Sequence, residues 1–132
     1  MKTNKVILII DDEFIILESI KIQLGRFLDE ESHIVEYASS GEEAFDIISE
    51  YHSKNINIDL IITDYHLDDV KGTDIIYLMH EKFPLSKKYI LTGESGNNIT
   101  IDELKNIEIH GYISKPWDFE DLKNYVLTSI KD

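Results

Sequence analysis

Val6-Ile7-Leu8-Ile9-Ile10 is a continuous apolar run, partly β-branched, that stops at Asp11-Asp12. Successive strand residues point to opposite faces, so an unbroken apolar run predicts a strand buried on both sides, the habit of a parallel sheet. From Glu13 the period changes. Phe14, Leu17, Ile20 or Lys21, Leu24 and Phe27-Leu28 recur at three and four residues and predict one apolar helical stripe ending before Asp29. His33 to Ala38 reads as a second strand. It leads into Ser39-Ser40-Gly41-Glu42-Glu43, where Ser40 and Glu43 have the capping-box spacing ahead of the stripe Ala44, Ile47, Ile48 and Tyr51.

Ile58 to Thr63 is the third predicted strand, and it delivers Asp64 to its carboxyl end. Gly72 to Lys82 predicts a helix with Ile75, Leu78 and Met79 inward, stopped at Phe83-Pro84 because the residue before proline disfavours helical dihedrals. Lys88 to Leu91 is a short fourth strand. Thr100 and Glu103 repeat the capping-box spacing before Leu104 and Ile107, a short helical segment, and Gly111 to Ser114 gives a fifth strand. Asp118 is placed to cap a last helix through Ile130, with Phe119, Leu122, Tyr125 or Val126, and Ile130 toward the sheet. Five alternating β-α units predict an α/β fold: right-handed crossovers cover both faces of a parallel sheet, and ligands belong beyond the strand carboxyl ends.

Composition narrows the function. The 132 residues suit one domain, and six scattered glycines and two prolines mark no internal linker, so residues 1–132 are expected to form a single unit. Thirteen Lys and Arg against 26 Asp and Glu leave a net charge of −13, with Arg26 the one arginine. Such a chain repels phosphodiester backbones, and direct nucleic-acid binding is not expected. The absence of cysteine removes disulfides and thiolate chemistry. The first apolar run is too short for a signal-peptide core or a membrane span, which predicts a cytoplasmic protein with no membrane partner.

Four polar features fall where the fold would put a site: Asp11-Asp12 after the first strand, Asp64 after the third, Thr92 after the fourth and Lys115 after the fifth. Asp11 and Asp12 also suit a plain helix-capping role. Neighbouring parallel strands lie about 4.8 Å apart, so these residues converge although distant in sequence. Three carboxylates in one crevice repel one another, and a hard divalent cation such as Mg²⁺ is the simplest compensation. A metal, an ammonium, an attacking carboxylate and a hydroxyl are together what phosphoryl transfer to a carboxylate requires. Asp64 is the candidate nucleophile because its strand is central; Asp11 and Asp12, adjacent on one strand end, suit the metal.

These residues, in this order, resemble the receiver domain of two-component response regulators, and the resemblance covers Lys5 to Ile130. The family's acidic pair matches Asp11-Asp12, its phosphoacceptor Asp64, its switch hydroxyl Thr92, its aromatic switch residue Tyr112 and its Lys-Pro pair Lys115-Pro116. The resemblance implies a flavodoxin-like, doubly wound five-stranded sheet of order 2-1-3-4-5 with five helices. It implies phosphoryl transfer from a histidine kinase or histidine phosphotransfer protein to Asp64, catalysed by the receiver itself, and reset by water. The implied direct Mg²⁺ ligands are Asp12, Asp64 and the backbone carbonyl of His66, with Asp11 acting through coordinated water. Thr92 and Tyr112 would form a coupled switch, Lys115 would contact first Asp64 and then the phosphoryl group, and the Lys115-Pro116 bond would be cis. His66 and Glu94, each two residues beyond a key residue, would tune dephosphorylation. The output would be a downstream protein or a fused output domain, with homodimerisation possible.

Departures from the family pattern sit in the loop after Asp64, with Asp68 where many relatives carry proline and Lys71 where they often carry aspartate. Gly72 keeps the family's position eight residues after Asp64. Trp117 is read as structural, packing the last loop against the final helix. His33, His52, His80 and His110 lack metal-ligand spacing and are read as scattered surface or half-buried residues. Two rivals come from other classes. A small Mg²⁺-dependent phosphatase with an aspartyl-phosphate intermediate would carry its nucleophile after the first strand; a non-phosphorylated interaction module would bind its partner without Asp64.

Overall fold

The computed structural model describes residues 4–93 and 107–131. Within them the elements run β1 (Lys5–Ile10), α1 (Phe14–Leu24), β2 (His33–Ala38), α2 (Gly41–Ser53), β3 (Leu60–Asp64), α3 (Gly72–Lys82), β4 (Lys87–Thr92), β5 (Gly111–Ser114) and α4 (Phe119–Ser129). The helical segment expected around Thr100 lies outside the described residues except for Ile107. All strand pairs are parallel, and the sheet order is β2-β1-β3-β4-β5. This is the doubly wound order expected of the chain.

The unbroken apolar strands are explained by two cores. Val6, Leu8 and Ile10 of β1 join Ile48, Ile75 and Met79 on the face covered by α2 and α3, while Ile7 and Ile9 join Leu17, Ile20, Leu122 and Val126 under α1 and α4. Side-chain alternation sends neighbours along β1 into different cores, so a polar residue at either parity would be buried. β2, at the sheet edge, is only half-buried over His33 to Tyr37.

Several element ends differ from the sequence reading for identifiable reasons. β3 begins at Leu60 rather than Ile58, because Asp59 Oδ2 accepts the Val6 N–H at 2.8 Å and takes the place of a strand carbonyl. Phe14 is 74% exposed; the stripe that the sheet covers begins one turn later, at Leu17, Ile20 and Leu24. Ser40 caps α2 by accepting the Glu43 N–H at 3.1 Å, but the Glu43 carboxylate reaches back to Ser39 N and Oγ, both at 2.6 Å, instead of closing the box on Ser40. Asp118 occupies the N-cap of α4 without making the expected side-chain bond. Trp117 Nε1 donates to Gln23 Oε1 at 2.8 Å, which ties the last loop to α1.

Candidate active site

Strand register builds the site. Thr63 pairs with Ile10 on one side and Ile90 on the other, so β1, β3 and β4 end nearly level. Asp11 and Asp12 follow β1 directly, Asp64 ends β3, and Thr92 ends β4 one residue beyond the partner of Asp64. One oxygen from each of Asp11, Asp12 and Asp64 lies within 4.8 Å of the others. Lys115 follows β5, and its backbone N–H donates to the Thr92 carbonyl at 2.7 Å. The Lys115-Pro116 bond is cis.

The Lys115 ammonium is the hub. It lies 2.7 Å from Asp11 Oδ2 and 3.2 Å from both Asp64 Oδ1 and Glu13 Oε2. Asp11 is fully buried. Its Oδ1 accepts the Glu13 N–H at 2.8 Å, so the helix-entry role and the site role are held by different oxygens of one carboxylate. Oδ2 finds no directed hydrogen bond despite its ionic contact with Lys115. Burial works against the charge on Lys115, but the contacts with Asp11, Asp64 and Glu13 outweigh it and hold the ammonium above the ordinary lysine range.

The carboxylates remain overloaded. Burial, then the charge of Asp11, pushes Asp64 up to about 6, although Lys115 opposes the shift. Asp12 is also raised, first by desolvation and then by Asp68, whose carboxyl stands against it. Asp68, noted in the sequence only as a missing proline, therefore adds a further negative group to the crevice. One ammonium leaves this cluster short of positive charge. Three convergent hard oxygen donors and an open, partly solvated Asp12 fit a divalent cation of the Mg²⁺ type.

The loop after Asp64 is clamped at both ends. Tyr65 N–H donates to Leu91 O at 3.0 Å and Gly72 N–H to Tyr65 O at 2.8 Å. A Cβ on Gly72 would run into the Asp64 carbonyl oxygen, which gives the glycine a steric reason to stand there. Asp69 spans to α2, where its carboxylate accepts Gly41 N–H at 2.9 Å and Glu42 N–H at 3.0 Å. His66 is exposed, with its ring edge-on to Tyr65.

Of the candidate residues, Asp11, Asp12, Asp64 and Lys115 are brought together, and Thr92 is buried at the end of the adjoining strand. Tyr112 stands apart on β5 beside Ile90, 41% exposed. Glu94 lies outside the described residues. Glu13 and Asp69 were missed. Glu13 meets Lys115 across 102 positions, which no local spacing encodes, although its place directly after the acidic pair was a usable signal.

The profile of the response regulator receiver domain matches residues 7–127. The chain belongs to the response regulator receiver family, the phosphoacceptor module of two-component signalling. Among curated relatives, the two-component response regulator PhoP of Pseudomonas aeruginosa is 27% identical over 117 residues, covering 89% of this chain and 48% of that protein. The chain spans between 26% and 52% of the length of the curated relatives it matches. A response regulator receiver domain protein from Clostridium thermocellum superposes with a TM-score of 0.78 at 31% identity, covering 96% of this chain and 94% of that one. A CheY-like receiver domain protein from Methanospirillum hungatei gives a TM-score of 0.76 at 28% identity, covering 97% and 94%. Receivers of this family typically use Mg²⁺, and the acidic cluster that such an ion needs is present here.

Proposed function

We propose that Asp64 accepts a phosphoryl group from the phosphohistidine of a kinase or phosphotransfer partner, and that the change switches a protein-interaction surface. The observation that carries this reading is the Lys115 ammonium, brought from the end of β5 and shared between Asp11 after β1 and Asp64 at the end of β3. An Asp64 oxygen attacks phosphorus, the P–O bond forms as the P–N bond breaks, and the departing imidazole keeps the electron pair and takes a proton. Lys115, already 3.2 Å from Asp64 Oδ1, balances the charge gathering on the phosphoryl oxygens. Asp12, Asp64 and the His66 carbonyl would hold Mg²⁺ directly, with Asp11 acting through water. When bound, the ion supplies positive charge at the phosphoryl oxygens.

Thr92 is the hydroxyl available to a phosphoryl oxygen, and Tyr112 is the ring whose packing would report the change. Water attacking phosphorus returns the Asp64 carboxylate and inorganic phosphate, with His66 and Glu94 tuning access. Residues 1–132 are read as one receiver unit acting in the cytoplasm, passing its signal to a downstream protein or a fused output domain. Among the described residues no helix is long and apolar enough to cross a membrane. The phosphatase alternative is disfavoured because both oxygens of Asp11, the residue it would need as nucleophile, are occupied, Oδ1 by the Glu13 N–H and Oδ2 by Lys115.

Intact mass after exposure to a small acyl phosphate tests the reading. One Mg²⁺-dependent phosphate is expected on the natural chain and none on Asp64→Asn. Undiminished, acid-labile labelling of Asp64→Asn would overturn it.

A further inference from the structure

Lys88 is the second residue of β4, and strand alternation puts its side chain on the Ile90 face, at the margin of a core. It is 2% exposed. Among the described residues its ammonium makes one hydrogen bond, to the Ser86 carbonyl at 2.9 Å, and no ion pair. Buried charges are ordinarily paired, and an ammonium has three donors to satisfy. Two are left over. They belong to a residue lining a cavity of about 300 Å³, whose wall also includes His80, Ser86, Lys87, Glu108 and His110.

The cavity reverses the sign of the molecule. Two lysines and two imidazoles face one carboxylate, in a chain whose net charge is −13. Glu108 is itself turned toward His110, 3.7 Å from Nε2. His110 Nδ1 accepts the Lys88 backbone N–H at 3.2 Å, so in the neutral ring the proton sits on Nε2 as a further donor. From Lys88 to Thr92 is four residues, about 13 Å along the strand, which places the cavity at the opposite end of the sheet from the carboxylates.

We propose that this cavity is a second ligand site, which holds a small oxyanion, carboxylate or phosphate, on the free Lys88 N–H groups and His110 Nε2–H, with Lys87 adding positive charge and His80 a further polar group to the wall. Water fills such a space at about 30 Å³ per molecule, so the volume takes a phosphate together with its solvent. Ligand binding there completes the hydrogen bonding of the ammonium and favours its charged form.

The test is a titration of ¹⁵N-labelled protein with inorganic phosphate, and separately with acetate, at constant ionic strength without divalent cation. Saturable amide shifts are expected at Ser86, Lys88 and His110, and not at Asp11, Asp64 or Thr92. Lys88→Met, which keeps the buried bulk, should weaken binding at least about tenfold, His110→Gln should weaken it less, and Asp64→Asn should titrate as the natural chain. The anion that saturates first identifies the oxyanion preferred. Linear, non-saturating shifts with both anions, or Lys88→Met and His110→Gln titrating like the natural chain, would overturn the proposal.

Discussion

At the carboxyl ends of the strands, Lys115 faces Asp11, Glu13 and Asp64 within 3.2 Å; at the amino end of β4, Lys88 has a single backbone carbonyl at 2.9 Å and no carboxylate in contact among the described residues. Burial disfavours the charge on both. For Lys115 the neighbouring carboxylates win and the pKa rises, whereas for Lys88 desolvation wins and it falls, with Glu108 too weak an opponent. Two lysines, one half-buried and one buried, thus carry opposite protonation pressure. Depth alone does not determine what a buried cation does; the company it keeps does.

Substitutions should separate the two ends. Lys115→Met leaves Asp11 buried without its counter-charge and is expected to cost about 3 kcal/mol, the scale of breaking a buried ion pair, read by urea unfolding without divalent cation. An unchanged midpoint would erase the contrast. Gly72→Ala forces the loop away from the Asp64 carbonyl and should cost about 2 kcal/mol, with a fall in Mg²⁺ affinity measured in the same samples. Lys88→Met should run the other way, stabilising by about 1 kcal/mol, because an apolar side chain of similar bulk replaces an under-satisfied cation.

The smallest expected effect is a pH dependence at the cationic end. Burial lowers the His110 pKa below its ordinary 6.5, with Lys87 and Lys88 reinforcing the shift against Glu108. A histidine held neutral in the folded chain binds fewer protons than in the unfolded one. Its contribution is therefore full above the ordinary value and lost as pH falls through the lowered one. Stability followed below pH 6.5 should decline less in His110→Gln than in the natural chain, by under about 1 kcal/mol. An equal decline would remove His110 from the comparison.

The apolar runs of β1 and β3, set among helical stripes, made the sheet legible, because each buried strand must place residues of both parities in a core. Asp11, Asp12, Asp64 and Lys115 were legible for a related reason: strand ends in a parallel sheet are the one place where distant residues must meet. What escaped was side-chain reach. Lys88 reads as the polar start of a strand, since a sequence does not disclose that its ammonium turns back to Ser86 instead of reaching water. Asp118 satisfied the spacing of a cap without making the bond, while the carboxylate that does cap α2 from outside the helix, Asp69, lies 28 positions from Gly41. Local rules describe which partner is near in sequence; tertiary packing supplied a different one.

The anchoring of the Asp64 loop on α2 carries a consequence for how this chain can vary. Where Asp69 grips Gly41 and Glu42, a Cβ at position 41 would strike the Val70 side chain. Positions 41 and 70 are accordingly a single steric unit split between two segments. A descendant that gains a methyl at the first must surrender volume at the second, or let go of the helix that steadies its loop.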